Sequence, residues 1–118
     1  MTRRRLTIKL TTDWREDIRA ALRTGFGAKS YQGETLSFET PATFFGKLTE
    51  KRWEIVRSLQ GQGPLSIREV SRRVKRDFKR VHEDVSALVE LGLLERDDRG
   101  VICPFDRIHV DIELKAAA

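Results

Sequence analysis

The order of helix starts, helix stops and turns between residues 66 and 102 limits the folds that this chain can adopt. Ser66 with Glu69 three residues later is a capping-box pattern, which marks the beginning of a helix. After a tight connection, Asp77 is a good cap for a longer helix, and Gly92 is typical of a helix end. The pattern therefore predicts a short helix, a turn and a longer helix.

A two-stranded hairpin is predicted directly after this helix pair. The segments LLER, DDRG and VICP are typical of a strand, a turn and a strand. Thr49 caps a further helix before the pair, and the loop GQGP ends it. Helical spacing predicts the inward-facing residues of the three helices to be Trp53, Val56, Leu59, Ile67, Val70, Val74, Val81, Val85 and Leu88.

The remaining segments are shorter and mostly extended. Residues 5–10 and 107–114 alternate apolar and polar side chains, as does TLSFE, and each predicts a strand. A helix is expected from Thr12 or Asp13 to about Gly25. The stretch PATFFGKL has no clean period and is interpreted as a connector whose apolar side chains, Phe44, Phe45 and Leu48, pack inward.

These elements predict an α+β fold, a winged helix-turn-helix with an N-terminal strand-helix-strand extension and a C-terminal strand. The extension spans residues 1–48 and is expected to support dimerisation, and the winged helix spans 49–106. The strand at 107–115 is expected to pair with the extension or with a second subunit. Residues 116–118 are either a native end or a tag remnant.

Basic charge is concentrated on the predicted helix pair. The chain of 118 residues has a net charge of +5, and the window 68–80 alone holds seven basic and two acidic residues. The segments before and after it carry opposite charges that cancel. A local field of one sign favours an anionic partner, although a solvated helix face is the alternative interpretation. Because the window coincides with the part of a helix-turn-helix that meets DNA, double-stranded DNA is the predicted partner.

Several motifs also resemble a known family. SIREVSRRVKRDFKRVHEDVSALVELGLLERD resembles the winged helix-turn-helix of MarR-like transcriptional regulators. Together with LSFE, LTEKRWEIVRSL and CPFDRIHVDIEL, it is similar to a family of small predicted prokaryotic transcriptional regulators, some of them candidate antitoxins. The resemblance covers about residues 35–114. It differs from the family pattern at Lys75, where relatives tend to carry glycine, at Arg80, where they carry a small amide, and at Glu83, where they carry a basic residue.

Individual roles follow from the predicted helix faces. With Val81, Val85 and Leu88 facing inward, the residues expected to read base edges are Phe78, Lys79, Arg80, His82 and Glu83. The residues expected to contact phosphates are Ser66, Arg68, Arg72, Arg73, Lys75 and Arg76. For each of them a solvent-exposed side chain is the alternative.

Two further residue roles are predicted. Arg99, at the tip of the hairpin, is expected to contact a minor groove of DNA, although Asp97 and Asp98 weaken that contact. Asp84 is expected to pair within the protein, with Arg80 one turn before it.

The sequence predicts no catalytic, cofactor or metal site. It has two histidines and one cysteine, too few for a usual four-ligand zinc site, and it lacks GxSxG, HExxH and a glycine-rich phosphate loop. Cys103 is expected to be a quiet, half-buried thiol rather than a nucleophile paired with His109, which is expected to be exposed. We therefore expect a protein that is not an enzyme.

The single cysteine allows no internal disulfide, and no apolar run approaches the roughly 20 residues of a membrane span. The start MTRRRLTIKL is basic but alternates, unlike a signal peptide, so a cytoplasmic protein without a membrane partner is expected.

The leading functional hypothesis is a homodimeric, sequence-specific regulator, an autoregulating repressor. The alternative is an antitoxin that binds and neutralises a protein toxin. An RNA-binding module is a weaker hypothesis, since the aromatic residues fall mostly on predicted core stripes.

Overall fold

The computed structural model describes residues 4–10 and 33–113. In chain order the elements are strands β1 (Arg4–Leu10) and β2 (Glu34–Phe38), helices α1 (Pro41–Lys47), α2 (Glu50–Leu59), α3 (Ile67–Val74) and α4 (Phe78–Leu91), and strands β3 (Glu95–Asp97), β4 (Gly100–Ile102) and β5 (Phe105–Ile112). The described part of the chain is therefore a small α+β fold with four helices, and the predicted α+β class is confirmed. None of the four described helices has both the length and the apolar composition of a membrane-spanning segment.

The chain forms two compact units. One, here called the helical unit, contains Leu48–Asp106 together with Arg4. The other, the sheet unit, contains the described residues of 5–47 and 107–113.

The helical unit is held together by the inward faces of α2, α3 and α4. Its core includes Ile55, Val56, Leu59, Val70, Val81, Val85 and Leu88, all without solvent exposure. The predicted stripes on α3 and α4 are confirmed except at Val74, which is half-buried. On α2, Ile55 is buried although it was not predicted, and Trp53 is only half-buried.

All three predicted N-caps of the helical unit are confirmed. The side chains of Thr49, Ser66 and Asp77 accept hydrogen bonds from backbone N–H groups in the first turns of α2, α3 and α4, at 3.3, 3.1 and 3.3 Å. The reciprocal half of the capping box is not formed, however. The carboxylate of Glu69 instead accepts hydrogen bonds from Arg72 and Arg73 in the following turn.

The hairpin is β3 paired antiparallel with β4, in the register Glu95↔Ile102 and Asp97↔Gly100. Its outer neighbour is Leu65, just before α3, which exchanges two backbone hydrogen bonds with Val101 at 2.8 and 3.0 Å. The side chain of Asp97 accepts a hydrogen bond from the Arg99 N–H at 2.8 Å, which fixes the turn. The predicted strand, turn and strand are confirmed, and the bridge to Leu65 ties the hairpin to the start of α3.

The sheet unit contains a three-stranded sheet in the order β2-β1-β5. β1 and β2 are parallel, with Leu6 opposite Glu34 and Leu10 opposite Phe38. The predicted strands at 5–10, 35–39 and 107–114 are confirmed in their described parts, and β1 finds both neighbours within the chain. The helix expected between Thr12 or Asp13 and Gly25 lies outside the described residues.

Residues 41–47 form helix α1, so the interpretation of PATFFGKL as a connector was wrong. Pro41 occupies the first helical turn, where its missing N–H is not needed, and the Thr40 hydroxyl accepts a hydrogen bond from the Thr43 N–H at 3.1 Å. Phe44 is buried edge-on against Phe38, with ring centroids 5.5 Å apart. Phe45, its neighbour on the helix, is 60% exposed, because successive helical side chains cannot both face one core.

Candidate functional site

The connection between α3 and α4 is a tight turn closed by Ser71. The Ser71 carbonyl accepts a hydrogen bond from the Arg76 N–H at 3.2 Å, and its hydroxyl donates to the Arg76 carbonyl at 2.5 Å. Lys75 adopts the left-handed conformation, with φ 56° and ψ 49°, and ends α3. The turn sets the position of α4 relative to α3, and it presents the Lys75 side chain to solvent.

Replacing Lys75 with glycine is expected to raise the free energy of unfolding by about 0.5–1 kcal/mol. A residue with a Cβ is destabilised by about 1–2 kcal/mol in the left-handed conformation. Glycine avoids this cost, but its greater conformational entropy in the unfolded chain offsets part of the gain in stability. Chemical denaturation of Lys75→Gly measures the gain, and Lys75→Ala is the matched control because it removes the same charge but keeps a Cβ. Equal stability of the two variants would contradict the expected strain.

Asp84 on α4 holds the turn to α2 through two ion pairs. Its carboxylate accepts hydrogen bonds from Arg76 Nη2 at 2.8 Å and from Arg52 Nε at 3.1 Å. The side chains of Arg76 and Asp84 are only 16% and 17% exposed. Asp84 therefore pairs within the protein as predicted, but the predicted partner Arg80 was wrong. Arg76 lies in the turn and Arg52 on α2, and both contact the same carboxylate.

Glu69 neutralises part of the basic surface of α3. Its carboxylate accepts hydrogen bonds from Arg72 Nε at 2.9 Å and from Arg73 Nε at 3.1 Å. These bonds, first Arg72 and then Arg73, lower the pKa of Glu69 to about 2, so that the carboxylate is charged at any physiological pH. Arg73 also donates to the Gln62 side chain at 3.2 Å. Of the six residues predicted to contact phosphates, Arg72, Arg73 and Arg76 are thus engaged in ion pairs.

Four basic side chains of the window 68–80 have no ion pair with an acidic residue that the structure describes, and they lie at the turn and in the first turns of α3 and α4. Lys75, Lys79 and Arg80 are exposed, and no acidic side chain in residues 4–10 or 33–113 pairs with them. The guanidinium of Arg68 lies 4.9 Å from the centroid of the Phe78 ring, a cation–π arrangement. These four cations are here called the turn cations.

An open groove of about 500 Å³ lies beside them, between the first turns of α3 and α4 and the hairpin. It brings together five of the predicted residues, namely Ser66, Arg68, Phe78, His82 and Arg99. Phe78 is 40% exposed there, and its ring centroid lies 6.1 Å from that of His82. Lys79, Arg80 and Glu83 are exposed on α4 but do not line the groove.

The groove also has one basic residue that the sequence did not predict. Arg96 on β3 is exposed and lines the groove, three residues before Arg99. Arg96 could have been predicted from its position next to the hairpin turn, because residues beside the turn of a short hairpin lie close to the residues at its tip. Asp97 and Asp98 also line the groove and reduce its positive charge.

Cys103 is buried, and its thiol lies 3.5 Å from the Phe105 carbonyl. Burial raises the pKa of Cys103, so the thiol is neutral at physiological pH. His109 is exposed, as expected. In the described ranges, no group of three or more His, Cys, Asp or Glu side chains is placed to hold a metal ion.

The fold and the site together define a small α+β protein in which a capped helix pair and a bridged hairpin enclose a groove. The chain belongs to the HVO_A0114 family, whose sequence model matches residues 47–110, more than half of the chain. The matched region includes α2, α3, α4 and the hairpin. No curated protein and no solved structure shows significant similarity to the chain.

Proposed function

We propose that this protein is a sequence-specific, double-stranded DNA-binding transcriptional regulator whose helical unit is a winged helix-turn-helix. The observation that carries the proposal is the placement of the turn cations. No acidic side chain of the described residues pairs with them, and they lie at the turn and at the first turns of a capped helix pair, next to a hairpin groove. In a helix-turn-helix, these are the parts that meet the major groove and the adjacent phosphates.

The ion pairs divide the basic residues into two groups. Arg76 forms an ion pair with Asp84 and holds the turn, while Arg72 and Arg73 both form ion pairs with Glu69. We therefore assign phosphate contact first to Lys75 and Arg68, with Ser66 at the N-terminus of α3. Arg76 acts as a positioning residue for the turn rather than as a phosphate contact.

Base readout is assigned to the exposed first two turns of α4. An arginine can donate two hydrogen bonds to guanine O6 and N7, a lysine can reach the same atoms, and a glutamate can accept from cytosine N4. Arg80, Lys79 and Glu83 are exposed in positions that suit these roles. Phe78 and His82 face the groove, where Arg96 and Arg99 of the hairpin supply further positive charge.

Replacing Arg80 or Lys79 with alanine is expected to weaken binding to the preferred duplex by about 1–3 kcal/mol each if they read bases, and to relax specificity at one position. If a side chain contacts phosphate instead, the loss is uniform across sequences and the slope of log K against log salt falls by about 0.9. Fluorescence anisotropy with a panel of single-base variants of the duplex separates the two outcomes.

Arg57→Ala is the matched control for both variants. Arg57 is an exposed arginine on α2, outside the groove and outside the turn. The Arg57→Ala substitution removes one positive charge, as the other two do, so its effect on DNA affinity measures the general electrostatic contribution alone. Losses in Arg80→Ala and Lys79→Ala no larger than in Arg57→Ala would contradict the assignment of α4 as the reading helix.

The proposal includes a homodimer that represses its own gene. A two-fold dimer places two reading helices about one DNA turn, roughly 34 Å, apart on a palindromic site. An exposed aromatic residue in the sheet unit, Phe45 on α1, suits an interface there. Light scattering coupled to size-exclusion chromatography tests the dimer, and Phe45→Ser is expected to shift it towards monomer.

A further inference from the structure

The sheet unit contains a second group of basic side chains, and it shares no residue with the proposed DNA-reading surface. A cavity of about 260 Å³ lies against β1 and β5 and the start of β2. Its described lining consists of Arg5, Leu6, Thr7, Gly33, Arg107 and His109. None of these is acidic, and three carry N–H donors on basic side chains.

The alternation of the two strands explains why these side chains meet. Leu6 and Ile8 of β1 are buried, so Arg5 and Thr7 lie on the opposite, polar face of the sheet. Arg107 and His109 alternate with Ile108 on the neighbouring strand β5 and are exposed. The guanidinium of Arg107, the imidazole of His109 and the hydroxyl of Thr7 therefore line one cavity, next to Arg5.

The chemistry of this donor set fits an oxyanion. A guanidinium presents a planar fork of donors that matches phosphate, and an imidazole supplies at least one N–H donor in any protonation state. The cavity is slightly smaller than the roughly 300 Å³ at which drug-sized ligand sites begin, so it suits a single charged group. Within the described residues, no carboxylate pairs with Arg107 or His109.

We infer that this cavity binds a phosphate group, with Arg107 and His109 as the principal ligands and Thr7 as a supporting one. The inference is independent of the proposed DNA-reading role of the helical unit, because it rests on residues of the sheet unit alone. The phosphate can come from a free phosphate or nucleotide, or from a nucleic acid backbone.

Isothermal titration of the full chain with inorganic phosphate, with adenosine 5′-monophosphate and with a duplex of random sequence tests the site. We expect saturable binding of inorganic phosphate, and a loss of about tenfold in Arg107→Gln, as for a charged hydrogen bond. His109→Asn is expected to weaken binding as well. Unchanged thermal unfolding of both variants establishes that they are folded.

Lys9→Gln is the matched control, since Lys9 is on the same strand and face as Arg5 but does not line the cavity. It is expected to change phosphate affinity less than twofold. A loss in Arg107→Gln that extends to the random duplex identifies backbone phosphate as the source, and a loss confined to the small probes identifies a free phosphate. Absence of phosphate binding, or equal losses in Lys9→Gln and Arg107→Gln, would overturn the inference, whatever the outcome for the reading helix.

Discussion

Replacing Asp84 with alanine is expected to lower the free energy of unfolding by about 3 kcal/mol. Removal of one partner from a buried ion pair costs about 3–5 kcal/mol, because the remaining charge stays buried without compensation. Here Arg76 loses the carboxylate that pairs with its half-buried guanidinium, and Arg52 loses one of its contacts. Both arginines are partly accessible, so the lower end of that range applies. Urea denaturation followed by circular dichroism measures the loss.

Two further variants separate this effect from the loss of any acidic residue on α4. Glu83→Ala removes the neighbouring exposed carboxylate and is expected to change stability by less than about 0.5 kcal/mol. The double variant Asp84→Ala with Arg76→Met removes one orphaned charge and is expected to recover part of the loss. A decrease of less than about 1 kcal/mol in the free energy of unfolding of Asp84→Ala would show that the ion pairs of Asp84 with Arg52 and Arg76 do not hold the turn.

Replacing Gly100 with alanine is expected to destabilise the helical unit by a similar amount, about 3 kcal/mol, from backbone strain together with overpacking. Gly100 has a φ of 136°, and a Cβ there would lie 2.6 Å from the Leu65 carbonyl oxygen and 2.8 Å from its carbon. These are backbone atoms of the bridge between the hairpin and the start of α3. The clash is therefore relieved only if the hairpin moves away from α3.

Gly63→Ala is the control for this prediction, since a Cβ at Gly63 meets nothing within 4 Å. It is expected to be neutral or slightly stabilising, because it restricts the unfolded chain. Gly100→Ala is also expected to weaken DNA binding, since the hairpin side of the groove shifts with β4. Full stability of Gly100→Ala would contradict the close approach of Leu65.

Features encoded by neighbouring residues could be predicted from the sequence. The caps at Thr49, Ser66 and Asp77 each depend on a side chain and an N–H three residues away, so local patterns identify them. The same is true of the hairpin turn and the buried stripe of α4. These elements have strong helical or extended periods, and the structure contains them at nearly the predicted bounds.

Features that depend on residues distant in sequence could not be predicted. Arg52 and Asp84 are 32 positions apart, and only the packing of α2 against α4 brings them together. The choice of Arg76 over Arg80 as the partner of Asp84 depends on the conformation of the turn, which local spacing does not specify. For the same reason, the cavity between β1 and β5 could not be predicted, since the residues that line it lie near opposite ends of the chain.

Helix α1 was missed for a different reason. Seven residues give fewer than two full periods of an α-helix, and the adjacent pair Phe44 and Phe45 hides the alternation between its buried and exposed faces. The cap at Thr40 and the proline at the first helical position were the available signals.

In the proposed function, the helical unit binds specific duplex DNA. The most direct test is a fluorescence anisotropy titration of the full chain against the DNA upstream of its own gene and against a scrambled duplex, at two salt concentrations. We expect salt-sensitive binding that favours the upstream duplex by about a hundredfold or more. Weak and equal binding to both duplexes would contradict this function. It would indicate that the groove and the turn cations contact a protein partner instead.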